Sequence, residues 1–150
     1  MFKLNLLEML IIVIPETFVL NFIIYTLSKK RVIKYKYITV SFVLSFCIYI
    51  SRLLPALFGM HIIINIILTI IAFTIIGIPF IKAVRNTLIA FIILQLCELV
   101  NIVICFILDI QISNHSNIYI KALHGIPSLI LFILSAFILK FCIEMNSKKY

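Results

Sequence analysis

Long apolar runs with almost no charge constrain this chain more than any other feature. A helix needs about 20 consecutive apolar residues to cross the hydrocarbon core of a bilayer, and five such stretches are legible, at 6–27, 37–54, 61–81, 86–108 and 122–143. Ser28 to Lys36 forms a basic linker between the first two runs. The second stops near Leu54, because Pro55 follows and the residue before a proline is a poor helical position. Gly77 and Pro79 loosen the end of the third. In 150 residues these runs leave no room for a soluble catalytic domain. The expectation is a single all-α domain, 1–150, forming a polytopic integral membrane bundle of five transmembrane helices.

Composition agrees: 65% of the residues are hydrophobic and 12% charged, against about half and about a quarter in soluble domains. The net charge of +8 comes from 13 Lys and Arg against 5 Asp and Glu. In a membrane chain such an excess marks the cytoplasmic loops, not a nucleic-acid surface. One side of the bundle collects Lys29, Lys30, Arg31, Lys34, Lys36, Lys82, Arg85, Lys140, Lys148 and Lys149; the other has Lys3, Arg52 and Lys121. That asymmetry puts the N-terminus outside and the C-terminus in the cytoplasm. The first run lacks a basic leader and a small-residue cleavage site and carries Glu8 and Glu16, so it reads as a retained span and not a signal peptide. Abundant Ile, more Lys than Arg and no Trp suit an AT-rich genome and point to the cell membrane of a low-GC Gram-positive bacterium.

A polar side chain in hydrocarbon is costly, so its angular position marks the face that meets protein. Successive residues turn by about 100 degrees, which aligns Asn5, Glu8 and Glu16 on the first helix and Ser41, Ser45 and Arg52 on the second. The third aligns His61, Asn65 and Thr69, the fourth Gln95, Glu98, Asn101, Cys105 and Asp109, and the fifth His124, Ser128, Ser135 and Cys142. Small hydroxylated residues of this kind serve mainly as packing contacts between helices.

The ionisable residues are the candidate site. Glu16 and Glu98 sit near the middle of their runs, where a charged carboxylate costs about 2.5 to 3.5 kcal/mol. They are protonated, hydrogen-bonded to Gln95 and Asn101, or paired with Arg52, whose nearest acidic partners by depth are Glu8 and Glu16. A structural ion pair and a ligand or coupling site both fit. His61 and His124 fall at the outer starts of the third and fifth helices, where they act as interfacial residues or as groups titrating near neutrality. Glu16, Arg52, His61 and Glu98 are the primary candidates for ligand or coupling roles, with Glu8, Gln95, Asn101 and His124 secondary.

Enzyme chemistry finds no foothold. The sequence has no H-E-x-x-H, no G-x-S-x-G and, with 3 Gly, no phosphate-binding loop. Cys47, Cys97, Cys105 and Cys142 lie in apolar stretches without C-x-x-C spacing and read as small buried hydrophobes, so neither a metal site nor a cofactor is expected.

Several short segments together resemble the membrane-embedded sensor region of clostridial-type sensor histidine kinases with GHKL-type ATPase domains. They are Ile14-Pro15-Glu16, the run Arg52 to His61, Lys82-Ala83, the mid-span Glu98, and Gly125-Ile126-Pro127. In that family an arginine, a proline, a glycine and a histidine recur in similar order between the second and third helices. The resemblance implies a membrane input module with its C-terminal end in the cytoplasm. It implies no kinase activity here, because the chain stops at Tyr150 where the phosphoacceptor helix and ATP-binding domain would follow. The expected function is a non-enzymatic signalling or accessory protein that binds an extracellular signal or a membrane partner. Its expected partners are the lipid bilayer and a cytoplasmic or membrane histidine kinase or other membrane subunit, not nucleic acid. The alternative is a small proton- or cation-coupled transporter or transporter subunit, with Glu16 and Glu98 as carriers.

Overall fold

The computed structural model describes residues 9–29, 34–53, 60–107 and 118–147, with side chains except at 9, 52–53, 60–61, 118–124 and 146–147. Among the described residues every regular element is helical. A π-helical turn, Met9–Val13, runs into α1 (Ile14–Leu27), followed by α2 (Lys34–Leu53), α3 (Met60–Ile75), α4 (Phe80–Ile107) and α5 (Ile118–Ser147).

Each helix falls on one of the apolar runs, but two boundaries move. The third run was expected to continue to Ile81 and the fourth to begin at Asn86, whereas α3 ends at Ile75 and α4 begins at Phe80. The cause is a Schellman closure. Gly77 takes φ 90, its N–H donates to the Thr74 carbonyl (2.9 Å), and the Ile78 N–H reaches back to Phe73 (3.1 Å). Phe73 and Ile78 are both buried, supplying the apolar contact that goes with this cap. Pro79 then leads into α4, its carbonyl accepting from Ala83 N–H (2.9 Å). The α1 end is capped differently, with Lys29 in the left-handed region at φ 51.

Among the described residues three segments are long and apolar enough to cross a membrane: Leu10–Leu27, Phe80–Ile107 and Gly125–Met145. Five were expected. The α2 helix opens on Lys34 and Lys36. The α3 helix has 16 residues, about 24 Å at about 1.5 Å per residue, short of the roughly 30 Å hydrocarbon core.

The first helix is the hub. It packs against α2, α4 and α5, while α2 meets α3, α3 meets α4, and α4 meets α5. Its inner residues Leu20, Ile23, Ile24 and Tyr25 join Phe73, Phe91, Leu94, Phe132 and Ala136 in the core. At one end Gly125 lets α5 approach the π-helical turn, since a Cβ there would lie 2.7 Å from Ile12 Cδ1. At the other end Lys140 sits 5.9 Å above the Phe22 ring.

Polar side chains share the interior with the apolar core, and many large apolar side chains face outward. Thr17, Asn21, Ser41, Ser45, Thr69, Asn86 and Thr87 are all at most 2% exposed. Outward-facing positions include Phe42, Phe46 and Ile50 on α2, Ile63, Ile67 and Ile71 on α3, and Ile130, Leu134 and Phe141 on α5. Polar groups inside and large apolar groups outside suit a lipid solvent, in which hydrogen bonds must be made within the protein. With three helices able to cross, the fold is compatible with a membrane-embedded protein.

Candidate functional site

A cavity of about 90 Å³ lies between α1, α2, α3 and α4. That is room for several waters or a small polar group. Val13, Glu16, Thr17 and Leu20 line it from the first helix and its leading turn, Ile48 from α2, Ile62 and Asn65 from α3, and Phe91, Leu94, Gln95 and Glu98 from α4. Two carboxylates read from the sequence as candidates therefore share one cavity.

Local chemistry explains how each is presented. Pro15 has no N–H, so the Ile11 carbonyl finds no donor four residues on, and the backbone changes there from π to α register. Glu16 and Thr17 follow at once, with Leu20 on the same face one turn later. The Thr17 hydroxyl donates to the Val13 carbonyl (2.6 Å), covering the backbone behind it. On α4, Gln95 Nε2 donates to Glu98 Oε2 (2.9 Å), fixing one carboxylate oxygen as an acceptor. On α3, Asn65 Oδ1 accepts from the Ser51 hydroxyl of α2 (2.7 Å), tying those helices together beside the cavity. The wall is mixed: acids, amides and a hydroxyl on one hand, Leu20, Phe91 and Leu94 on the other.

The sequence expectations meet this geometry unevenly. Glu16, Gln95 and Glu98 come together. Asn101 is half-buried beyond the cavity, its Oδ1 4.0 Å from Cys105 Sγ. Gln95 was expected on the protein-facing stripe of α4 but is exposed, because the buried face of that helix runs through Ala83, Asn86, Thr87, Ala90, Phe91 and Leu94. Cys142 was expected to be buried and is exposed, since Phe132 and Ala136 hold the packed face of α5. Ser128 and Ser135 bond carbonyls of their own helix, at Gly125 and Phe132. Arg52, His61 and His124 fall within α2, α3 and α5, but their side chains, like Glu8 as a whole, lie outside the described residues.

A second polar cluster was not foreseen. Asn21 Nδ2 donates to the Ser41 hydroxyl (2.9 Å), linking α1 to α2. Asn86 Nδ2 donates to the Ser28 hydroxyl (2.8 Å), which in turn donates to the Ile24 carbonyl (2.7 Å), linking α4 to the end of α1. Tyr37 donates to the Phe18 carbonyl (2.6 Å). The signal was present in Thr17, Asn21 and Ser28, spaced i, i+4 and i+11 along one face of α1. Among the described residues no group of three His, Cys, Asp or Glu side chains is placed to hold a metal ion.

Fold and cavity together define a class: among the described residues, an all-helical bundle with buried polar groups beside its apolar core, an apolar outer surface and a carboxylate-lined cavity among four of its helices. Comparison with protein-family models, curated proteins and solved structures finds no match that narrows this class to a family.

Proposed function

We propose that this chain is a non-enzymatic membrane input or accessory module that binds a small ligand in the Glu16–Glu98 cavity. In this reading all five helices cross the cell membrane, with the N-terminus outside and the C-terminus in the cytoplasm, as the distribution of Lys and Arg argues. The cavity then opens toward the outer half, and Arg52 and His61 belong to the same end of the bundle as further ligand-facing candidates. A histidine kinase or another membrane subunit is the proposed recipient of the signal, through α5. The resemblance to sensor-kinase input regions supports the signalling part, and the low-GC Gram-positive origin goes with it.

One observation carries the binding part: Glu16 and Glu98, from helices far apart in sequence, line the same small cavity. Intramembrane carboxylates mark functional sites by default. Leu20, Phe91 and Leu94 belong both to the cavity wall and to the apolar core around Ile24 and Phe73, and an apolar wall of this kind favours reception over passage of an ion.

The same two carboxylates also favour a second reading, a small proton- or cation-coupled transporter or transporter subunit. Two measurements separate the readings. In the native host, Glu16→Gln should change the set of transcripts that deletion of the gene changes, with the protein still in the membrane fraction; an unchanged profile contradicts the input module. In proteoliposomes loaded with a pH-sensitive dye, flux that disappears in Glu98→Gln would establish transport instead.

A further inference from the structure

The polar cavity adjoins a second hollow. Between α3 and α4 an apolar groove of about 300 Å³ runs along Ile66, Leu88, Ile92, Leu96 and Leu99 on the outer surface of the bundle. Ile62, Phe91 and Gln95 line both the groove and the cavity, so the two share a wall. Gln95 is the polar group at that junction. It is exposed on a helix long and apolar enough to cross a membrane, and its amide is hydrogen-bonded to Glu98.

At this junction the polar end of the site, Gln95 with the Glu98 it is bonded to, meets an apolar groove. We infer that the site takes a single-chain amphiphile with an ammonium head, reached sideways from the bilayer between α3 and α4. The head lies at Gln95, Glu98 and Glu16. The alkyl tail lies in the groove along Leu96, Ile92 and Leu88, pointing toward the inner end of α4.

Three features select this occupant. The carboxylates accept ammonium N–H groups in charge-assisted hydrogen bonds, strong in a low-dielectric site. The groove is almost wholly apolar, which suits an alkyl chain and rejects a polar one. A head of a few atoms fits the cavity of about 90 Å³, whereas a bulky headgroup does not. The inference rests on the ligand-binding reading above and adds the ligand's chemical class and route.

The test uses the full chain in nanodiscs of neutral phosphatidylcholine and a dodecylamine bearing a diazirine in its chain. Ultraviolet labelling, mapped by mass spectrometry, should fall on α3 and α4 around Ile66, Ile92 and Leu96. Unmodified dodecylamine should suppress it, and dodecanol should be about tenfold weaker, as expected when the ammonium donor of a charge-assisted hydrogen bond is replaced by a neutral hydroxyl. Glu98→Gln should lower labelling by a similar factor, and Leu96→Trp, at an exposed position, should block the groove. Equal competition by dodecanol, or full labelling of Glu98→Gln, overturns the inference, as does chain-to-chain cross-linking at the groove in place of probe. Selective labelling with no transcript change in Glu16→Gln would fail the input reading alone. A transcript change without ammonium selectivity would fail this inference alone.

Discussion

Along α1 two neighbouring regions carry polar side chains inward under different conditions. In the first turns Glu16 and Thr17 face a cavity, and the groups around them, Asn65, Gln95 and Glu98, come from α3 and α4. One turn later Asn21 is fully buried against Ser41, and Ser28 is bonded to Asn86, with Tyr25 packed on Phe73 and Tyr37 between them. The first region uses ionisable groups around open space, and the second uses neutral amides and hydroxyls in a closed core. Neutral hydrogen bonds lock helices in lipid without burying net charge. Acids are costly there, which is why the proposed binding reading is placed at the cavity and not in the closed core.

That contrast can be broken most severely in the closed region. Ile24 is fully buried between α1 and its neighbours, and Ile24→Ala should lower stability by about 2 kcal/mol, the lower end for such truncations, since lipid removes part of the hydrophobic driving force. Thermal unfolding in mild detergent reads this directly. Asn86→Leu, which removes the link to Ser28, should cost about 1 kcal/mol in the same assay while leaving probe labelling at the cavity intact. Lys29→Gly should go the other way, stabilising by up to about 1 kcal/mol, because it relieves a left-handed φ of 51 at the α1 end. Smallest in stability should be Glu16→Gln, an isosteric change beside open space. Its unfolding free energy should stay within about 0.5 kcal/mol of the parent, while ligand labelling falls and the transcripts change as they do on deletion of the gene. A large loss of stability there would make Glu16 a structural residue like Asn21.

Much of the fold was legible because spanning a bilayer fixes a length, and uninterrupted apolar runs therefore located the helices. The error at 76–80 has a local cause: Gly77 and Pro79 sit within an apolar stretch, where run length alone does not register a closed cap. The acids of the site were legible because their cost in hydrocarbon demands a reason. Asn21, Asn86 and Thr87 passed unnoticed because neutral amides and hydroxyls are cheap enough to look incidental, and Asn86 was expected only as the first residue of the fourth run, next to Arg85. For α4 the sequence spacing placed Gln95 near Glu98, and the two are indeed bonded. Spacing says which residues are neighbours on a helix but not which way that face turns, and the apolar Ala83, Ala90 and Leu94 decided it by packing.

The most direct test of an open carboxylate cavity above a closed amide core is cysteine accessibility. The native Cys47, Cys97, Cys105 and Cys142 are free thiols and can be replaced with alanine. In that background Glu16→Cys and Glu98→Cys, at half-buried positions lining the cavity, should react with a small water-soluble thiol reagent applied to the intact membrane, while Asn21→Cys and Thr87→Cys should react at least about tenfold more slowly, since exchange depends on access. Equal rates at all four positions, or protection of Glu16→Cys together with Asn21→Cys, would contradict the account.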